Sequence, residues 1–305
     1  MRVFVSGAAG YIGGQIAFVT AHHGWEVTGG LRKLGRVGPG ITPFVTGDLA
    51  ETDVRLPACD TVVHAAGLGH RRGVERELWQ RQNVTAAVKL AEAARQAGAK
   101  RFILISTAYV HGRAPDGVVS DDSRTVPPDD YAQSKLDAEA AVRAVFGEGV
   151  SVVRPVAVIG PNCPGNIPLL VNVLQRGVPL PLAGISNRRS FILVSDLAAL
   201  VLALAAAEHP PVAVLAAHPQ SISTPDLIRA LAHGLGVPAR LFPFPTPLLG
   251  LGARLLGRAE MFQSLTGDFI AAPANALALG WKPAESLAET LGATSRYYIT
   301  TAKTP

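Results

Sequence analysis

The chain has 305 residues, 48% of them hydrophobic and 17% charged, with a formal net charge of +5. That composition excludes a disordered chain and gives room for one elaborated α/β domain or two lobes. The densest cationic patch, Arg71-Arg72 through Arg76 and Arg81, alternates with Glu75 and Glu77; it predicts a solvated helix face and argues against a nucleic-acid partner.

Two cysteines, Cys59 and Cys163, suit a reducing compartment and propose neither a disulfide framework nor a zinc site. Asp121 and Asp122 fall in a predicted turn without a spaced histidine, so no metal is expected. The apolar run Leu197–Ala207 is too short to cross a bilayer, and Leu241–Leu256 is broken by Pro243, Pro245, Pro247 and Arg254. The few residues before Gly7 do not compose a signal peptide. A cytoplasmic protein without an integral membrane segment is expected, with peripheral membrane contact through Leu248–Leu256 left open.

Val3, Phe4 and Val5 predict a short buried strand. Gly7, Gly10 and Gly13 follow at G-x-x-G-x-x-G spacing and open a helical run through Ile12, Ile16 and Val19. In that strand-loop-helix context the spacing predicts a dinucleotide site. Gly7 permits the tight turn, Gly10 lets the backbone approach a phosphate, and Gly13 lets the helix pack on its strand.

Strands and helices then alternate. Strands are predicted at Glu26–Thr28, Thr42–Val45, Thr61–His64, Arg101–Ser106 and Ser151–Arg154, and helices at Leu78–Gln96 and Tyr131–Val145. The order implies a parallel, doubly wound Rossmann sheet over residues 1–155, with its ligand at the carboxyl ends of the strands. Beyond Pro155 the pattern changes. A helix at Leu169–Gln175, a strand at Phe191–Val194, a helix at Asp196–Glu208 and a strand at Val212–Leu215 precede two predicted helices, Asp226–Leu235 and Leu277–Gly292. Residues 186–216 are expected to return to the sheet. Residues 156–185 and 217–305 are expected to form a smaller C-terminal α/β substrate lobe.

Tyr131 and Lys135 stand one helical turn apart and share a face. An ammonium beside a phenol lowers a tyrosine pKa that is ordinarily about 10, which makes Tyr131 a candidate proton donor or acceptor. Thr107 follows a predicted strand, where its hydroxyl can bind the oxygen that Tyr131 would protonate. His64 ends a buried strand and is expected to be packed rather than ligating.

With these motifs in hand, the chain resembles an extended short-chain dehydrogenase/reductase of the nucleotide-sugar epimerase/dehydratase group. The resemblance is carried by Gly7–Gly13, Gly47-Asp48-Leu49, His64-Ala-Ala-Gly67 and Asn83-Val84 in the first part of the chain. It continues through Ser106-Thr-Ala-Tyr-Val-His-Gly112, Tyr131-Ala-Gln-Ser-Lys135, Arg154-Pro155 and Gly160-Pro161, then Arg189–Asp196 and Leu279-Gly-Trp-Lys-Pro283. It implies that Tyr131 is the catalytic acid/base, that Lys135 tunes it and holds the nicotinamide ribose, and that Thr107 is the catalytic hydroxyl, with Ser106 able to share that role. Gly7, Gly10, Tyr11, Ile12, Gly13, Ala65, Ala66, Gly67, Asn83 and Pro155 would line the cofactor, and Asp48 and Leu49 would meet its adenine. Asn166 and Arg189 would grip the diphosphate or sugar of a nucleotide-linked substrate, and a homodimer is expected.

Departures from the family pattern sharpen the expectation. Ala108 and Tyr109 stand where dehydratases carry an acidic pair, which disfavours dehydration. Leu31, followed by Arg32 and Lys33, stands where NAD-type members carry an Asp, so NADP is favoured with NAD possible, and Arg32 would neutralise the 2′-phosphate. The leading reading is hydride transfer at C4 of a UDP-linked hexose or N-acetylhexosamine, as 4-epimerase or 4-keto-reductase. Alternatives are an NADPH-dependent reductase of a non-sugar ketone, flavonoid- or steroid-like, and a non-catalytic dinucleotide-binding regulator. The intact Thr107, Tyr131 and Lys135 speak against the last.

Overall fold

The computed structural model describes residues 1–69, 73–113 and 115–301; Arg71 and Arg72 of the cationic patch lie outside the described residues. The chain begins with β1 (Arg2–Ser6), α1 (Tyr11–His22), β2 (Glu26–Leu31), β3 (Ile41–Val45) and β4 (Thr61–His64). There follow α2 (Arg76–Trp79), a π-helical turn at Gln80–Thr85, α3 (Ala86–Gln96), β5 (Arg101–Ile105), β6 (Val118–Val119), α4 (Asp130–Phe146) and β7 (Val150–Pro155). The second part runs β8 (Ala157–Ile159), α5 (Asn166–Gln175), β9 (Arg189–Leu193), α6 (Val194–Ala206), β10 (Ala213–Ala216), β11 (Ser221–Ile222) and α7 (Thr224–Leu235). It ends with α8 (Thr246–Leu255), α9 (Ala259–Thr266), β12 (Ile270–Ala271), α10 (Ala274–Ala278) and α11 (Leu287–Thr301).

Seven strands form one parallel sheet in the order β10-β7-β5-β4-β1-β2-β3. Its near-continuous apolar strands are those of a sheet covered on both faces. Along β1 the alternation is direct. Val3 and Val5 join the core that includes Ile16 and Leu200, whereas Phe4 joins the opposite core with Leu90 and Val142. The strand order reverses at β1, between β2 and β4, so a crevice opens where Gly7 and Ala65-Ala66-Gly67 leave the sheet. A third core, built from α5, α7 and α11 with Phe191, fills the smaller lobe.

Beyond shifts of a few residues at element ends, three elements differ in kind from the sequence reading. The predicted strand at Phe191–Val194 is β9, but it pairs with β8 and β11 in a separate three-stranded sheet; of the 186–216 segment, β10 joins the large sheet and α6 packs on its face. The predicted helix Leu277–Gly292 is two helices, because Gly280 takes a positive φ of 80° and Pro283 follows. Trp281 in the break is buried and donates to the Asp196 carbonyl at 3.0 Å. The predicted helix Leu78–Gln96 starts at Arg76 and carries the π turn, a feature frequent at functional sites.

The tightest point of the fold is the crossing of β1 and α1. A Cβ at Gly13 would stand 2.3 Å from the Gly7 carbonyl oxygen, and one at Gly7 would stand 2.8 Å from the Ala66 amide nitrogen. Gly13→Ala therefore forces the helix off its strand. It should cost about 1–3 kcal/mol in chemical denaturation, the range for overpacking. Gly252 in α8 has open space around its Cα, so Gly252→Ala should instead be neutral or add up to about 1 kcal/mol by helix propensity.

Candidate active site

The glycine loop presents the N-terminus of α1 to a cleft of about 690 Å³ lined by Gly10, Tyr11, Asn162, Leu193, Thr294 and Tyr297 among others. Gly10 caps α1 without a side-chain hydrogen bond, and the first turn carries no acidic residue. Free helix-start N–H groups and an absence of negative charge suit a phosphate. The Tyr11 hydroxyl is buried without a partner and its pKa is raised, by burial first and then by Cys163 and Tyr298. The residues present thus fit a dinucleotide at this crevice.

The π turn aims Asn83 at the second crevice loop. Its Oδ1 accepts from the Leu68 amide at 2.8 Å, and its Nδ2 donates to the Ser134 hydroxyl at 2.9 Å. A Cβ at Gly67 would stand 2.9 Å from Asn83 Oδ1 and 3.3 Å from Lys135 Nζ. Gly67, Asn83 and Lys135 therefore converge on one point. Pro155 ends β7 nearby in chain order, buried and paired with Ala216.

Thr107 is buried and caps a short 3-10 turn, Ala108–His111, by accepting from the Tyr109 amide at 3.3 Å. Asp129 caps α4 by accepting from Ala132 N at 2.8 Å, which starts the helix just ahead of Tyr131. The Thr107 hydroxyl is hydrogen-bonded to Tyr131, and the Tyr131 ring leans on buried Trp79 with centroids 5.4 Å apart. Lys135 Nζ donates to the Ile105 carbonyl at 3.1 Å.

Electrostatics here depart from the sequence expectation. Burial pushes the Tyr131 phenol up to about 12, only partly offset by the Thr107 contact, so the phenol is protonated at neutral pH rather than lowered. Lys135 is pushed down to about 8, chiefly by burial, with Glu139 holding its charge in part. Ser106 turns away from Tyr131 to a different partner. Its hydroxyl donates to Glu139 Oε1 at 2.5 Å, and Glu139 takes Arg154 in a two-point ion pair at 2.6 and 3.1 Å.

Arg154 also reaches His111 Nε2 at 3.3 Å, while His111 Nδ1 faces the Arg124 carbonyl at 3.1 Å. Since a guanidinium only donates and a carbonyl only accepts, His111 carries its proton on Nδ1. Burial, as the leading cause, lowers the His111 pKa. His64 is packed as expected: its Nδ1 lies 2.7 Å from Ser6 Oγ, and burial followed by the Lys135 charge lowers its pKa to about 3.

The adenosine corner is a charged cluster. Arg32 donates to Asp48 at 2.6 Å, Gln82 donates to Asp48 at 3.2 Å and Arg81 lies 3.6 Å away. Burial opposes the Asp48 charge, but the Ala50 amide, Gln82, Arg32 and Arg81 together lower its pKa. Arg32, expected to be free for a 2′-phosphate, is thus already paired, although its side chain stays 66% exposed. Leu49 is buried in the core with Phe4 and Leu90. On the substrate side, Arg189 is buried with Nη1 donating to the Gly267 carbonyl at 3.0 Å, whereas Asn166 is exposed at the start of α5. Asp121 is structural, accepting from Leu215 N and Asn275 N at 2.6 and 2.9 Å.

Trp79 and Glu139 were not singled out by the sequence reading, and Arg154 entered it only as part of the Arg154-Pro155 segment, without a role. A signal existed for two of them, since Glu139 lies four residues after Lys135 and Trp79 four before Asn83, each one helical turn away.

This fold and site define a class. The model of the NAD dependent epimerase/dehydratase family matches residues 3–216, and the chain belongs to that family of enzymes. It is 29% identical to the UDP-glucose 4-epimerase of Vibrio cholerae, over 97% of this chain and 95% of that protein. It is 32% identical to the ceramide reductase of Caulobacter vibrioides, over 82% and 76% of the two chains. Among solved structures, MoeE5 in complex with UDP-glucuronic acid and NAD matches with a TM-score of 0.80, 24% identity and coverage of 99% and 100%. A human epimerase family protein with NADPH matches with a TM-score of 0.79, 23% identity and coverage of 97% and 99%.

Lys135 supplies a test of the site's electrostatics. Its folded pKa of about 8 lies below the ordinary 10.5, so between these values the unfolded chain holds a proton that the folded one has lost. Stability of the ligand-free protein should therefore gain a rising contribution from pH 8 upward. The Cys59 thiol, pushed up to about 11, acts oppositely above pH 9. Thermal melts of wild type against Lys135→Met isolate the lysine; parallel pH profiles for the two would refute the buried-ammonium assignment.

Proposed function

We propose that the protein transfers hydride at C4 of a UDP-linked hexose or N-acetylhexosamine with NADPH as the preferred cofactor, working as a 4-keto-reductase; the 4-epimerase is the nearest variant of the same chemistry. The observation that carries this reading is the Thr107–Tyr131 hydroxyl pair beside Lys135 and Gly67 at the sheet's carboxyl edge. Alignment of nearly the whole chain with a UDP-glucose 4-epimerase supports the substrate class. The bound dinucleotide supplies the hydride.

Thr107 and Tyr131 hold the reacting oxygen, and Tyr131 gives it a proton. A phenol held protonated at neutral pH can give its proton to a ketone oxygen. The reductase direction rests on the cofactor corner, where Leu31 and exposed Arg32 suit an exchangeable NADPH. Lys135 stays within reach of the same crevice for the ribose. Dehydration lacks its acidic pair, since Ala108 is buried and Tyr109 packs edge-on against Phe269. The Arg189 guanidinium has donors beyond the one used on Gly267, and its planar fork suits a diphosphate.

A second reading, reduction of a ketone on a lipophilic compound, is favoured by the ceramide reductase relative. The same Thr107 and Tyr131 would serve it. Supplying NADPH with a UDP-4-keto-hexose and with a long-chain ketone separates the two: consumption of cofactor only with the second substrate would replace the sugar reading.

Tyr131→Phe keeps the ring and removes the proton. Turnover of the accepted substrate should fall by about 10²–10⁴ with little change in dinucleotide affinity; near wild-type turnover would remove Tyr131 from the mechanism. The cofactor preference rests on Leu31, which leaves no carboxylate at the end of β2, and on exposed Arg32. NADPH should bind tighter than NADH by about 1–3 kcal/mol, toward the lower end because Arg32 must leave Asp48. Arg32→Ala should erase most of that difference in calorimetry, and added salt should shrink it. Stoichiometric NAD in the purified protein would instead favour the epimerase.

A further inference from the structure

The α8–α9 hairpin leaves apolar surface uncovered. No residue of α8 is buried. Leu248, Leu251 and Leu255, spaced i, i+3 and i+7, share one outward face, and Leu255 and the following Leu256 are 81% and 75% exposed. Phe242 and Phe244, on the segment that leads in, are exposed as well. The inner side is closed by a separate contact, for a Cβ at Gly250 would stand 3.1 Å from the Phe262 ring of α9. The leucine face is therefore what remains after the protein's own packing is complete. Contiguous apolar patches of this kind mark interaction surfaces.

Charge selects the occupant. From Pro238 to Thr266, the end of the hairpin, the sequence holds three cations, Arg240, Arg254 and Arg258, against one carboxylate, Glu260. All three arginines are exposed, and Arg254 lies in the last turn of α8. An apolar helix face rimmed by cations fits acyl chains beneath anionic headgroups. A second copy fits poorly, since an isologous contact would set three arginines of each copy against one another with a single carboxylate per hairpin to offset them.

We propose that Phe242, Phe244 and the outward face of α8 dock the protein on an anionic bilayer surface. The helix lies in the interface rather than crossing it, as no described helix is long and apolar enough to span a membrane. The hairpin also leads into the site. Gly267, directly after α9, offers the carbonyl that accepts from both Arg189, at 3.0 Å, and Asn187, at 3.2 Å. Docking would bring that edge of the smaller lobe to the membrane, whichever of the two substrate classes is correct.

Flotation of the full-length protein with phosphatidylcholine vesicles, with and without phosphatidylglycerol, tests this. Wild type should float with the anionic vesicles and detach as salt is raised. The triple variant Leu248→Ser, Leu251→Ser, Leu255→Ser and the double variant Arg254→Glu, Arg258→Glu should each lose partitioning by about tenfold or more. Both should keep the wild-type melting temperature and dinucleotide affinity, because the altered side chains are exposed. Wild type that stays with the buffer, or variants that float as well as wild type, would overturn the proposal. So would a dimer in sedimentation equilibrium that the triple variant splits while wild type ignores vesicles.

Discussion

Everything at the functional edge of this protein depends on how closely α1 approaches β1. The Gly7 carbonyl and Gly13 meet at a distance that leaves no room for a single methyl group. That approach fixes the helix start over the carboxyl end of the sheet, and the partial positive charge of its N–H groups with it. It also brings Gly7 against Ala66, so the loops after β1 and β4 form one wall. A pocket for a dinucleotide follows from that crossing rather than from a separate set of binding side chains.

A buried polar network holds α4, the helix of Tyr131 and Lys135, at the same edge. Ser106 just after β5, Glu139 on α4, Arg154 on β7 and His111 at the end of the 3-10 turn are linked by hydrogen bonds. Such a pair adds little net stability, because desolvation offsets attraction, yet losing one partner costs about 3–5 kcal/mol. Its value here is positional. Glu139 sits one turn beyond Lys135 and two beyond Tyr131, so the ion pair sets the rotation of α4 about its axis. The same carboxylate also supports the lysine's charge against burial.

The two lobes are built on different terms. The large sheet buries both faces under helices that join its two cores. The smaller lobe closes its own core with α5, α7 and α11 but leaves α8 outside it. The first arrangement serves rigidity at the cofactor edge. The second leaves a surface free for a partner beside the segment that carries Arg189.

Much of this was legible in the residue order. Continuous apolar strands, the glycine spacing and the Tyr131–Lys135 interval determine the Rossmann half and the face that Tyr131 and Lys135 share, because each is set by local geometry within a turn or a strand. The break at Gly280 was hidden by apolar residues on both sides, and the separate sheet of β9 by a strand signal that does not state its partner. Charge state was decided by tertiary structure alone. The lysine one turn from Tyr131 suggests a lowered phenol pKa, but burial of the ring reverses the direction. Arg32 reads as a free cation beside Leu31, yet Asp48, sixteen residues away, already holds it. Spacing along a chain tells which side chains share a face; desolvation and long-range pairing, which set their chemistry, exist only once the chain has folded.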